Sequence, residues 1–274
     1  MFSILVLTLN EERNLPRCLA SIAGCDDLVV LDSGSTDRTV AIARAAGARV
    51  FMRPFDNFAG QRNHAQRAIA FRHPWVFHLD ADEQFTPELL AECRDRAAGP
   101  GTDLDGCLVA PKMLWHGRWI PHCTDFPAYQ ARFVRAPEFV FVEVGHGQRE
   151  APAMRLGRMQ SNYLHDLSAG GEAEWLAKHR RYAHAEAEQY FRAGAGGERL
   201  WPGLFARDPL RRRRALKRWS YALPARPALR FVYQYFLRGG FLDGPAGLQY
   251  CRLLARYEGF TAEALRQLRR AAGR

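Results

Sequence analysis

The sequence predicts an α/β protein, a mostly parallel sheet flanked by helices, followed by a helical C-terminal extension. Three observations carry this expectation. Short apolar runs alternate with helical patterns through the first hundred residues, the rhythm of strand–helix–strand units joined by right-handed crossovers. Two of the runs end on acidic signatures, Asp32-Ser-Gly-Ser-Thr-Asp37 and Asp80-Ala-Asp82-Glu83, and ligands collect beyond the carboxyl ends of strands in open sheets. After about Gly171 the strand patterns give way to helical ones.

The elements follow in order. Phe2 to Leu9 is an apolar run that reads as a buried strand, and the polar loop Asn10 to Asn14 leads to a helix with Leu15, Cys18, Leu19 and Ile22 at helical spacing. Leu28 to Leu31 is the second strand, and a turn through Gly34 enters a helix near Thr36 with Val40 and Ala43 inward. Arg49 to Met52 is the third strand, Gln61 to Phe71 a helix and Trp75 to Leu79 the fourth strand. Thr86 caps the next helix, with Pro87 at its first position. From Gly106 strands follow without long helices, at Leu108 to Leu114, Tyr129 to Val134 and Phe139 to Val144, predicting a mixed sheet edge beside the site. Helices are expected near 172–192, 214–222, 227–238, 245–257 and 261–271, dividing the chain into domains 1–170 and 171–274.

With 274 residues, 47% hydrophobic and 25% charged, the chain is long and apolar enough for a substantial core, which excludes disordered and collagen-like classes. A net charge of +10 calls for an anionic partner. The six cysteines are scattered without a C-x-x-C pair and read as reduced thiols. The absence of G-x-G-x-x-G and Walker A patterns removes the main support for dinucleotide-cofactor and P-loop readings. The apolar start lacks a basic flank and a cleavage site, and no uncharged stretch reaches the ~18 residues of a membrane span. The expectation is a cytoplasmic protein, peripheral on the inner face of the cytoplasmic membrane.

Asp80 and Asp82 offer hard oxygen ligands to Mg²⁺ or Mn²⁺, which can bridge a protein and a diphosphate. Together with the Asp32 turn they suggest a nucleotide-sugar site. Thr8-Leu-Asn-Glu11, Asp32 to Asp37, Gln61-Arg-Asn63 and Leu79-Asp-Ala-Asp-Glu83, in this order and spacing, resemble the inverting glycosyltransferases of family 2, which have the GT-A fold. Gly117-Arg-Trp-Ile120, Arg132-Phe-Val-Arg135 and Gly240-Phe-Leu-Asp-Gly244 extend the resemblance to the branch that adds glucose or similar sugars to lipopolysaccharide cores.

The resemblance implies that residues 1–170 form the catalytic domain. In it Thr8, Leu9, Asn10, Glu11, Asp32 and Gly34 hold the nucleoside, Arg62, Asp80 and Ala81 reach the diphosphate and sugar, and Asp82 takes the metal with His165 as a late metal or phosphate ligand. UDP-glucose is the donor it suggests, and a glycan or glycolipid the acceptor. Inverting transfer needs a carboxylate to deprotonate the acceptor hydroxyl. Many relatives carry it in a Val-His-Glu motif, but this chain reads Glu143-Val-Gly-His-Gly-Gln-Arg-Glu150, with Gly147 in the glutamate's place. Glu143 and Glu150 are the candidate bases, and Glu143 is favoured because its strand is expected to hold it at the sheet's ligand edge. His146 is a candidate for the base, the diphosphate or the acceptor. His116, Trp119, His122 and Asp125 form an aromatic and polar segment suited to the acceptor.

Arg211 to Arg218 places six basic residues in eight positions, ahead of an aromatic stretch. Such a segment suits an anionic membrane surface, and no nucleic-acid reader motif accompanies the charge. Two other classes are weighed: a catalytically weak glycan- or membrane-binding protein, kept open by the missing glutamate, and a nucleotidyltransferase, disfavoured by the lack of a glycine-rich triphosphate loop.

Overall fold

The computed structural model describes residues 1–99, 103–144, 147–193, 212, 215–216, 219–221, 223 and 225–272. In chain order its elements are β1 (Ser3–Thr8), α1 (Leu15–Ser21), β2 (Leu28–Asp32), α2 (Thr39–Ala45), β3 (Arg49–Met52), α3 (Phe58–Ala68), β4 (Trp75–Asp80), β5 (Glu83–Gln84), α4 (Pro87–Ala98) and β6 (Gly106–Trp115). There follow β7 (Arg118–Trp119), β8 (Gln130–Arg135), β9 (Phe141–Val144), β10 (Gly147–Glu150), β11 (Leu156–Asp166), α5 (Gly171–Ala193), α6 (Arg226–Val232) and α7 (Gly244–Ala271). A π-helical turn, Tyr233–Leu237, and a 3-10 turn, Gly240–Asp243, lie between the last two helices.

The chain forms two compact units, Met1–Leu114 with Asp125–Ala169, and Trp115–Thr124 with Gly170–Arg274. The first is built on a sheet of order β3-β2-β1-β4-β8-β6-β11-β5. Its β3-β2-β1-β4 half is parallel throughout. Beyond β4 the sheet is mixed, since β8 runs antiparallel to β4 and β6, β11 parallel to β6, and β5 antiparallel to β11.

Burial of both faces explains why β1 reads as an unbroken apolar run. Ile4 and Val6 pack with Leu15 and Leu19 of α1, Ala43 of α2 and Leu89 of α4 on one face, while Leu5 packs with Val29, Ala65 and Ile69 on the other. Helix α3 starts ahead of the expected Gln61 because Asn57 caps it, accepting from the Gly60 N–H at 2.7 Å. Helix α2 starts later than expected because residues 33–38 are taken up by the acidic turn. Thr86 caps α4 as expected, accepting from the Leu89 N–H at 3.2 Å.

In the second unit α5 and α7 meet through Ala187, Tyr221, Ala264 and Leu265. Helix α7 is continuous where two helices are expected. Its Gly259 costs only about 1 kcal/mol in a helix, and the neighbouring Glu258 is fixed by Arg226 at 2.7 Å. The loop Trp115–Thr124 belongs to this unit: Asp243 accepts from the Cys123 N–H at 2.8 Å, and Trp115 donates to Gln249 at 3.0 Å. The two units therefore do not divide at a single point in the chain. Most of the helix expected at 214–222 and of the basic run Arg211 to Arg218 lies outside the described residues.

Candidate active site

The parallel register sets Thr8 beside Asp32 and Leu7 beside Asp80, so the carboxyl ends of β2, β1 and β4 form one edge. Asp32 builds that edge rather than lining it. It is fully buried and accepts from Thr8 Oγ1 (2.7 Å), the Gly34 and Ser35 N–H groups (2.9 and 2.7 Å) and Ser35 Oγ. Burial opposes its charge, but the bonds from Ser35, Thr8 and Gly34 prevail and hold its pKa below the usual carboxylate range. Gly34 sits at φ +101°, in the left-handed region that the turn requires.

The β1 loop is tied to this turn. The Asn10 N–H donates to Ser35 Oγ and its side-chain oxygen accepts from the Thr36 N–H, both at 2.8 Å, while the Glu11 N–H donates to Thr39 Oγ1 at 2.7 Å. Asp37 closes the start of α2 by accepting from the Thr39 N–H at 2.9 Å. Leu9 and Asn10 remain exposed at the edge, with Glu11 half-buried.

The second signature is organised by arginines. Arg62, from α3, donates to Asp80 Oδ1 at 2.7 Å, and Arg132, from β8, donates to Asp80 Oδ2 at 3.0 Å and to Glu83 Oε1 at 2.7 Å. The Asp80 N–H donates to Glu83 Oε2 at 2.8 Å, fastening the turn. Desolvation opposes charge on Asp80, yet Arg132 and then Arg62 hold it well below the usual carboxylate range. Glu83 goes the other way. Its burial is the largest influence and, with the charges of Asp80 and Asp82, outweighs the pull of Arg132 and raises its pKa to about 7.

Strand β11 brings His165 opposite Glu83. Its Nε2 lies 3.3 Å from Asp82 Oδ2 and its Nδ1 3.7 Å from Glu83 Oε1. Desolvation disfavours the imidazolium, but Asp82, Glu83 and Asp80 together push its pKa up to about 9. Asp82 and His165 keep about a quarter of their side-chain surface exposed, at 26% and 24%. Among the described residues no three acidic, histidine or cysteine side chains form a ready cation cage. A carboxylate and an imidazole nevertheless fit a divalent ion whose other positions go to diphosphate and water, the usual arrangement where phosphates complete the shell.

Four of the expected ligand residues are engaged within the protein itself. Thr8 and Asp32 spend their polar atoms on each other and on the turn; Arg62 is fully buried against Asp80; Ala81 is 3% exposed and part of the core. The expected place of Glu143 is corrected. β9 and β10 form a separate two-stranded hairpin outside the large sheet, held to α3 by Asn63, which donates to the Phe141 carbonyl at 2.8 Å and accepts from its N–H at 2.9 Å. Glu143 is exposed on that hairpin. Glu150 pairs opposite Phe141 on the same hairpin and has a buried Oε2 with no hydrogen-bond partner. His146 lies outside the described residues. Of the expected acceptor segment, Trp119 and His122 belong to the second unit, where His122 pairs with Asp243 at 2.6 Å, and Asp125 is exposed on the first.

The sequence reading missed the structural parts of Arg132, Glu83 and Asn63. The signal for Arg132 was present, a lone cation between Ala131 and Phe133-Val134 in an apolar strand. Such a residue must find a carboxylate if the strand is buried.

Comparison with known proteins agrees with this design. The model of the family described as Glycosyl transferase family 2 matches residues 3–148, just over half of the chain. The chain belongs to that family. Among curated relatives, the lipopolysaccharide core biosynthesis glycosyltransferase LpsC of Rhizobium meliloti is 38% identical over 101 residues, 32% of this chain and 37% of that protein. An uncharacterized glycosyltransferase of Rickettsia bellii is 35% identical over 91 residues, 33% of this chain and 30% of its own length. The matched stretches thus span about a third of these relatives. Of solved structures, glucosyl-3-phosphoglycerate synthase from Mycobacterium tuberculosis, in complex with Mn²⁺, UDP-glucose and glycerol 3-phosphate, is 27% identical with a TM-score of 0.32, covering 43% of this chain and 45% of that one. S. aureus TarS 1-349 is 17% identical with a TM-score of 0.43, covering 97% and 91%.

Proposed function

We propose that this chain is an inverting, metal-dependent hexosyltransferase that moves a sugar, with glucose the leading candidate, from a nucleoside diphosphate to a lipopolysaccharide-core or other membrane-associated glycan. The observation that carries this reading is the meeting of Asp82 and His165 at 3.3 Å, from β4–β5 and β11, on the edge that also bears the Asn10 and Gly34 loops. Leu9, Asn10, Glu11 and Gly34 would contact the nucleoside. Asp82 and His165 would hold Mg²⁺ or Mn²⁺, with Asp80 kept ionised beside them by two arginines. The ion would supply positive charge to the departing diphosphate. The likeness to LpsC supports the acceptor class.

The base belongs to the β9–β10 hairpin in this reading. Glu150, half-buried and with an Oε2 that no protein group engages, is favoured over the exposed Glu143 in this reading. A positioned base contributes ~10²–10⁴-fold to rate. Glu150→Gln should lower turnover by that order with donor affinity retained, and Glu143→Gln should not; the reverse pattern returns the role to Glu143. Trp119, His122, Asp125 and His146 are the acceptor candidates, the exposed indole of Trp119 offering a flat face to a sugar ring.

Among the described residues no helix is long and apolar enough to cross a membrane, and the proposed location is peripheral, on the cytoplasmic face. Titration calorimetry with UDP and Mn²⁺ tests the central claim. Asp82→Ala should remove metal-stimulated UDP binding, and unchanged metal dependence would take Asp82 out of the ion's shell.

A further inference from the structure

The segment from Arg226 to Asp243 is built inside out. A surface helix normally turns its apolar stripe to the core and its polar residues to water. Here Leu229, Val232, Tyr233, Phe236 and Leu237, at spacings of three and four, are 46% to 76% exposed, whereas Arg226 and Gln234 are 8% and 3% exposed. Both buried polar residues find partners within their unit, Arg226 an ion pair with Glu258 at 2.7 Å and Gln234 the Cys123 carbonyl at 2.8 Å. The orientation is therefore fixed by hydrogen bonds and charge.

The exposed stripe is continuous. Phe231 stacks on Tyr235 at 5.2 Å, Tyr235 meets Phe236 at 5.1 Å and Phe241 at 6.3 Å, and Phe241 and Leu242 are 49% and 58% exposed. The π-helical turn Tyr233–Leu237 widens the helix where the stripe is most apolar. A patch of this kind marks a surface that is covered in use.

Charge identifies the cover. Between Asp208 and Asp243 the chain has nine basic residues and no acidic one. Of these, Arg230 and Arg238 lie beside the stripe, Arg238 exposed. An apolar, tyrosine-bearing ridge bordered by cations and free of anions complements a bilayer with anionic headgroups, where the rings enter the acyl boundary and the arginines meet phosphates.

We infer that Leu229 to Leu237, with Phe241 and Leu242, is a docking ridge that inserts into an anionic lipid bilayer. The inference rests on the reading that the acceptor is membrane-associated, and it names the side chains that make the contact. The test uses the full chain without donor or acceptor, so failure of the lipid contact leaves sugar transfer standing, and inactivity toward nucleotide sugars leaves the lipid contact standing. Flotation with phosphatidylglycerol–phosphatidylethanolamine vesicles should show binding that Phe236→Asp with Leu237→Asp weakens at least about tenfold, at an unchanged thermal midpoint because both sites are exposed. An indole introduced by Phe236→Trp should be quenched by lipids brominated on the acyl chain. Undiminished binding of the double variant, or an unquenched indole, overturns the inference. So does a wild-type dimer that Leu237→Asp dissociates with vesicle binding unchanged, which would assign the ridge to a second copy of the chain.

Discussion

The two acidic signatures end strands on either side of β1, yet they are wired in opposite ways. Asp32 is fully buried and accepts from hydroxyl and amide donors of its own turn and from Thr8 at the end of β1, so its charge is spent on holding the backbone. Asp80 is gripped by two arginines from α3 and β8, and that grip fixes the turn that presents Asp82 to His165. One carboxylate is held by neutral hydroxyl and amide donors, the other by two cations from distant elements. The contrast teaches that the same residue type at the end of a strand can close a turn with neutral donors or anchor a charged network.

The largest effect is expected from the arginine clamp. Arg132→Met leaves Asp80 and Glu83 without their shared partner in a desolvated site, and breaking such a pair costs about 3–5 kcal/mol. Urea unfolding measures it; a loss below about 1 kcal/mol would mean that the clamp is not structural. Asp32→Ala comes next. It strands two backbone N–H groups and two hydroxyls, for a cost of roughly 1–3 kcal/mol in the same assay.

The two loops should also respond oppositely to pH. Asp32 has a lowered pKa in the fold, so its contribution is present above its unfolded pKa of ~3.9 and is lost as pH falls. Glu83 has a raised one, so its contribution is present below its unfolded pKa of ~4.3 and is lost as pH rises through about 7. Urea midpoints across pH should therefore show a shallower acid slope in Asp32→Asn, the rest coming from Asp80 and other lowered carboxylates, and a shallower slope toward neutrality in Glu83→Gln. If the same variant flattens both, the loops are not independent. The smallest change in stability is expected for Asp82→Ala, within about 1 kcal/mol of wild type because the Asp82–His165 pair is partly solvated. A larger loss would make Asp82 another clamp residue.

The parallel half of the fold was legible because strands buried on both faces read as mostly apolar runs, as β1 and β4 do despite Ser3 and His78. Strand β11 was not. Leu156 to Asp166 carries polar residues at most positions and shifts register between Arg158 and Asn162, so no period of two survives in its sequence. His165 was therefore read as a candidate without the strand that places it. Arg132 was noticed only as part of a resemblance, since a charged strand residue ordinarily faces water. The hairpin carrying Glu143 was misplaced for a related reason. Two apolar runs look alike in sequence, and the Asn63 bonds to the Phe141 backbone, which hold β9 against α3, depend on a residue some eighty positions away.

The position of β11 also bears on synthesis. Among the described residues it is the last strand of its unit to leave the ribosome, yet in space it stands between β6 and β5, and there β5 pairs with β11 alone. The nascent chain thus carries both acidic signatures for some eighty residues before β11 can pair with the Glu83 strand or bring an imidazole to Asp82. Until then the arginine clamp holds that turn without the strand that completes it, and β5 remains an open edge.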